Sequence, residues 1–161
     1  MKILIFVEGT ILMHKNALGL SREKIIKQVQ NNVDPSLRDY NSYIPIRNAV
    51  AKIKLWENQG AKIFYLTSRK TSKEISDIKE VLLQYDFPTG QLLARENNEK
   101  YKDVAERIIP NILIEDSCES IGGVKEMTIT FIKPEIKQKI KSIVVKEFGG
   151  IDNLPDKINK L

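Results

Sequence analysis

One cysteine, one histidine and one tryptophan are all that 161 residues contain of these types. A lone Cys118 excludes an intramolecular disulfide, and a chain without a disulfide framework fits a reducing, cytoplasmic setting. No apolar run approaches the roughly 18 residues of a membrane span, so no membrane partner is expected. The opening residues are apolar but break at Glu8 and offer no small-residue cleavage site, so they read as a strand and not as a signal peptide. No internal repeat, low-complexity stretch or block of like charges is visible. Gly9, Gly122 and Gly123 form no Walker loop, because no Gly-Lys-Ser/Thr follows them, and no dinucleotide fingerprint is present. Cys118 lacks the Arg at fixed spacing that a cysteine phosphatase loop requires, and reads as a small, partly buried thiol. His14, beside Lys15, is expected in an exposed loop. Trp56 and Tyr65 fall at core spacing and read as packing.

What is present is enough for one ordinary globular domain: 42% of the residues are hydrophobic. The net charge of +5 is modest, and the lysines are spread along the chain. That pattern describes a solvated basic surface first, and an acidic partner such as a phosphorylated ligand or nucleic acid second.

The organising stretch is Lys2 to Met13, KILIFVEGTILM. Ile3–Val7 is an unbroken apolar run, as expected of a strand covered on both faces of a parallel sheet. It delivers Glu8, Gly9 and Thr10 to the carboxyl end of the sheet, where ligands bind in open α/β folds. A helix is expected in LSREKIIKQVQNNV, with Ser21 as N-cap and Ile25, Ile26 and Val29 as its stripe. It belongs to an insert at about 14–43 that is long for a strand-to-helix loop. Pro45 to Gly60 reads as a helix, Lys62–Leu66 as the second strand, Ser72 to Tyr85 as a helix and Gln91–Ala94 as the third strand. Tyr101–Ile108 reads as a helix and Ile112–Ile114 as the fourth strand. The β-branched run Glu126–Ile132 predicts a fifth strand. Pro134 is expected to open a long helix through Phe148, and Asp152–Leu161 a short docking helix. Strands alternating with helices across short glycine links give an α/β chain with about five mainly parallel strands. Three strands then end in polar clusters on one edge: Glu8-Gly9-Thr10, Thr67-Ser68-Arg69 and Glu115-Asp116-Ser117.

These clusters resemble the motifs of the haloacid dehalogenase (HAD) superfamily, phosphatases and related phosphoryl-transfer enzymes, over nearly the whole chain. The resemblance implies a Rossmannoid three-layer sandwich forming a single domain over 1–161, with 14–43 as a minimal cap. In that family an Asp at the end of the first strand is the nucleophile, a second acid two residues on is general acid and base, and a strand-end hydroxyl and a lysine hold phosphate oxygens. A fourth-strand acid completes an oxygen shell for Mg²⁺. By this correspondence Glu8 takes the acid/base position and Lys102, with Lys100 as competitor, the phosphate-neutralising position. Gly9, Thr10, Thr67 and Ser68 line the phosphate, and Asp116, with Glu115 and Glu8, is the metal-binding set.

The departure is Phe6, which stands where the nucleophilic Asp belongs. Three readings follow. The first is a catalytically degenerate protein that keeps a phosphate- or anion-binding site, with Mg²⁺ held weakly or not at all. The second is an active Mg²⁺-dependent phosphohydrolase in which Glu8 attacks or activates water beside Asp116. The third is a basic nucleic-acid-binding adaptor, disfavoured by scattered lysines and the lack of interleaved aromatics. The short insert implies an open site, suited to phosphates on large molecules, proteins or nucleic acids, over small metabolites that must be enclosed; a phosphorylated ligand or inorganic phosphate is the expected partner.

Overall fold

The computed structural model describes residues 1–161. In chain order the elements are β1 (Lys2–Phe6), β2 (Leu12–Met13), α1 (Arg22–Asn31), β3 (Ile44–Pro45), α2 (Ala49–Asn58), β4 (Lys62–Leu66), α3 (Ser72–Gln84), β5 (Gln91–Leu93), α4 (Tyr101–Ile108), β6 (Ile112–Asp116), α5 (Thr128–Phe131), α6 (Pro134–Lys137) and β7 (Lys141–Val145). β1, β4, β5, β6 and β7 make one sheet in the order β5-β4-β1-β6-β7, and every pairing in it is parallel. β1 is the central strand, with Ile3 opposite Ile63 on one side and Ile112 on the other.

Period-2 alternation divides the apolar run of β1 between two cores. Ile3, Ile5 and Val7 pack with Ile53 and Trp56 of α2 and Ile78 and Val81 of α3. Leu4 packs on the opposite face with Phe64, Leu113 and Val104 and Ala105 of α4. The result is a Rossmann-like three-layer α/β fold. Trp56 is fully buried, and its Nε1–H donates to the Pro155 carbonyl at 2.9 Å. A buried aromatic of this kind contributes about 3–5 kcal/mol relative to Ala. No helix is long and apolar enough to cross a membrane.

α3 and α4 lie where the sequence places them. α3 starts at a capping box: Thr71 Oγ1 accepts from the Glu74 amide, and the Glu74 carboxylate accepts from the Thr71 amide at 3.0 Å. The Pro45 helix begins later, at Ala49. Ile44–Pro45 instead pairs antiparallel with Leu12–Met13, a small ribbon at the base of the insert.

The last third departs from expectation. Residues 126–132 form no strand; α5 is a single turn there, because the free amides of Thr128 and Ile129 close on the buried Glu115 carboxylate. The expected long helix from Pro134 ends at Lys137, and the fifth strand is β7. Ile136, Ile140 and Ile143 mimic a helical stripe, but the open edge of β6 draws the β-branched KSIVV into the sheet. Val144 is left exposed, as on an edge strand. Residues 152–161 dock without an α-helix, making only a 3₁₀ turn at Ile158–Lys160.

Candidate functional site

The carboxyl ends of β1, β4, β6 and β7 surround a cavity of about 470 Å³. Part of the 14–43 insert covers it: Leu37, Arg38, Tyr40 and Tyr43 are among the lining residues. The expected helix of the insert is α1, preceded by Ser21 as predicted, although the Ser21 side chain makes no capping hydrogen bond. His14, expected to be exposed, is buried against α1 with its Nε2 3.1 Å from Gln28 Oε1. Burial holds its pKa below the ordinary value despite that bond.

On the β4 side, three groups converge on one carboxylate. Thr67 Oγ1 donates to Glu8 Oε1, the Ser68 amide donates to Glu8 Oε2 at 2.9 Å, and Arg69 Nε lies 3.4 Å from Glu8 Oε1. Thr67 is fully buried and held at the strand end by its amide, which donates to the Leu93 carbonyl at 2.9 Å. The Arg69 guanidinium lies 4.4 Å from the centre of the Tyr40 ring, so the insert and the sheet edge meet at this cation. The set is an anion seat made of a hydroxyl, an amide and a guanidinium, and the chain's own Glu8 fills it.

On the β6 side, Asp116 Oδ2 accepts from Thr10 Oγ1 at 2.9 Å, and Oδ1 accepts from the Cys118 amide at 2.9 Å. Gly9 has φ +82, and a Cβ there would stand 2.7 Å from Asp116 Oδ2, so both its backbone and its bareness are required. Glu147, just past β7, is buried beside this pair and accepts from the Ser120 amide at 2.6 Å. Burial, with the neighbouring Glu147 carboxylate adding to it, pushes the Asp116 pKa up to about 6, against the pull of the Cys118 and Thr10 hydrogen bonds. Burial also raises the Cys118 thiol, as do the carboxylates near it, which leaves it a poor nucleophile.

Phe6 points to the face opposite Ile5, where its ring meets Tyr101 edge-on with centroids 5.0 Å apart. The Arg95 guanidinium covers Tyr101, 4.0 Å from the ring centre.

Of the residues expected at the site, Glu8, Gly9, Ser68 and Asp116 line the cavity, while Thr10 and Thr67 stand behind it as hydrogen-bond donors. Glu115 does not join them. Neighbours in a strand face opposite ways, and Glu115 turns under the sheet to accept from the Thr128 amide at 2.7 Å and the Ile129 amide at 2.9 Å. Lys102 and Lys100 do not line this cavity either. Lys102 Nζ pairs with Asp103 Oδ1 at 2.6 Å, and both lysines border a smaller cavity beside α4. Cations at the main cavity come instead from Arg38, Arg69 and Arg95.

The Mg²⁺ that the resemblance implies does not fit this arrangement. Glu115 is committed to backbone amides and Glu8 to the β4-side donors. No three His, Cys, Asp or Glu side chains come together as a metal-binding group. Sequence reasoning missed Glu147, which lay in a supposed helix, and the part played by Arg95 and Tyr101. Arg69 was legible only as the third residue of a polar strand end.

The fold and its strand-end cleft define a parallel α/β protein of Rossmann-like architecture. No family model and no curated protein matches the chain. Among solved structures it is similar to a chain of the Pnkp1/Rnl/Hen1 complex, at 14% identity and a TM-score of 0.55. The likeness covers 91% of this chain and 47% of that one, so this chain spans about half the length of its neighbour. At that identity the likeness speaks for the fold.

Proposed function

We propose that the chain is a HAD-like, phosphatase-related cytoplasmic protein, a single domain with a small cap, that binds a phosphorylated ligand or inorganic phosphate and does not turn it over. The observation that carries this reading is the seat filled by Glu8. Thr67, Ser68 and Arg69 offer a hydroxyl, an amide and a guanidinium to a carboxylate, and the same donors suit phosphate oxygens. A phosphate entering the seat displaces Glu8, so the carboxylate acts as a built-in competitor. Phe6 offers no lone pair to a phosphorus atom, which removes the covalent route of the related phosphatases. Asp116, with a pKa near 6, retains the ability to exchange a proton but has no nucleophile to serve. Any Mg²⁺ dependence is weak, since one carboxylate of the usual set is a phenyl ring and another faces away.

The test is paired. Phosphate or tungstate binding is measured by calorimetry, and hydrolysis of an aryl phosphate is measured with and without Mg²⁺. Wild type should bind and not hydrolyse, Arg69→Ala should lose binding, and Glu8→Gln should bind about tenfold more tightly because the competing charge is gone. Turnover by wild type that disappears in Asp116→Ala would overturn the proposal in favour of chemistry through Glu8 and Asp116. Activity gained only in Phe6→Asp would support it.

A further inference from the structure

The lysines that the cleft does not use stand around a cavity of their own. This second cavity, of about 190 Å³, is bordered by Arg95, Lys100, Lys102, Lys125, Glu126 and Phe131, among others. Four cations therefore face one carboxylate across a small volume. Only Lys102 of the four has an ion-pair partner, and Arg95 Nε is buried with no hydrogen-bond partner at all. Arg95 Nη2 donates to the Ser68 carbonyl at 3.4 Å, and Lys100 and Lys125 are open to solvent, so these two lysines and the Nε of Arg95 are free to receive an anion.

The two cavities share a wall. Arg95, Tyr101 and Glu126 line both. Phe6 meets the Tyr101 ring edge-on with centroids 5.0 Å apart, and the Arg95 guanidinium lies over that ring at 4.0 Å, so the three groups are continuous along that wall. Phe131, which also lines the second cavity, is 55% exposed although it belongs to a helical turn whose neighbours Thr128 and Ile129 are buried. Basic and aromatic groups thus line both cavities together, a juxtaposition that the linear sequence does not display.

Resting on the proposal that the first cavity seats a phosphate, we infer that the ligand is single-stranded nucleic acid. One phosphate sits against Ser68 and Arg69, a following phosphate sits among Lys100, Lys102 and Lys125, and the intervening base rests on the Tyr101–Arg95–Phe6 wall. Single strands are held in this way by a cationic track with aromatic platforms, with little dependence on sequence. No bond is made or broken. An acidic peptide would satisfy the lysines but has no flat group for the aromatic wall.

The experiment compares the full chain with the double variant Lys100→Glu/Lys125→Glu, both lysines being exposed, and with Phe131→Ala. Binding of an end-labelled oligothymidylate is followed by fluorescence anisotropy over a salt series, and inorganic phosphate binding by calorimetry. Thermal unfolding verifies that each variant is folded. The double variant should bind the oligonucleotide about tenfold more weakly, with the slope of log affinity against log salt reduced by about one, and should keep the phosphate binding that Arg69→Ala abolishes. Phe131→Ala should weaken the oligonucleotide several-fold with an unchanged salt slope. Equal oligonucleotide affinity in wild type and double variant overturns the inference, as does competition by polyglutamate at the same charge concentration as the oligonucleotide. Phosphate binding without oligonucleotide binding overturns this inference alone. Failure to bind either one overturns the phosphate-site reading as well.

Discussion

The two flanks of the β1 end hold one carboxylate each, under opposite conditions. Glu8, on the β4 flank, lies against a guanidinium, a hydroxyl and an amide. Asp116, on the β6 flank, receives a hydroxyl and an amide, but its charged neighbour is a second carboxylate, Glu147. The hydrogen-bond donors match in kind, and what differs is the sign of the adjacent charge. Burial raises the Asp116 pKa and the Glu147 carboxylate adds to it, so this flank holds an acid, whereas the guanidinium beside Glu8 makes the other flank an anion seat. The same sheet edge can offer both because β1 separates them and Gly9 lets the chain pass close to Asp116.

The comparison can be sharpened or broken by substitution. The largest effect is expected from Glu115→Leu, which tests whether only one of the paired acids belongs to the site. It orphans the buried amides of Thr128 and Ile129, at roughly 2 kcal/mol each, so stability should fall by about 4 kcal/mol in urea unfolding. Phosphate binding by the folded fraction should be unchanged, and a loss of it would return Glu115 to the site.

Asp116→Asn tests the acid pair through pH. The Asp116 pKa rises on folding from 3.8 to about 6, so the folded state binds more protons than the unfolded one between those values. Stability contributed by Asp116 is therefore present below pH 3.8 and lost as pH rises to about 6. The loss amounts to about 3 kcal/mol. Asn, fixed in the neutral form, should stabilise the fold by up to that amount at pH 8 and by little at pH 4, read as the gap between thermal midpoints. A gap that does not vary with pH would sink the account of the β6 flank.

Gly9→Ala attacks the point between the flanks. The positive φ and the approach of Asp116 Oδ2 to 2.7 Å from the added Cβ should cost on the order of 1–3 kcal/mol. Combining it with Asp116→Ala, which removes the clash with that carboxylate and leaves the backbone term and the 3.3 Å approach to Glu147 Cγ, should recover part of the cost. Smallest is the stability effect of Arg69→Ala, about 1 kcal/mol, because the Arg69–Glu8 pair is partly open to solvent, at 21% and 13% side-chain exposure. A cost of several kcal/mol there would mean that the guanidinium holds the fold and not mainly the anion seat.

Within the first two thirds of the chain the main sheet and α3 and α4 were legible because their signals agree with one another, whereas the β2–β3 ribbon and the burial of His14 were not. β1 and β4 are apolar runs with strand-end polar clusters, and α3 and α4 fall on the expected Ser72 to Tyr85 and Tyr101–Ile108. Past Ser117 they conflict. Thr128, Ile129 and Thr130 favour a strand by propensity, yet the buried Glu115 recruits two of their amides into a turn. Ile140 to Val145 satisfies a helical stripe and a strand equally, and the unpaired edge of β6 decides between them. At the site, Glu8, Gly9, Thr67 and Asp116 were readable as strand ends. The pairing of Glu115 with Asp116 misled because adjacency in sequence means opposition across a sheet.

The amino-acid sequence by itself determined the parallel α/β architecture, the central place of KILIFVEGTILM and the absence of a carboxylate at Phe6, since apolar periodicity and residue identity are local facts. Tertiary structure alone decided that Glu8 faces Arg69 while Asp116 faces Glu147, that Glu115 leaves the cleft, and that Lys100 and Lys102 border a second cavity. Those outcomes depend on which side chains from distant segments arrive at the same place, and on the sign of the charges they bring.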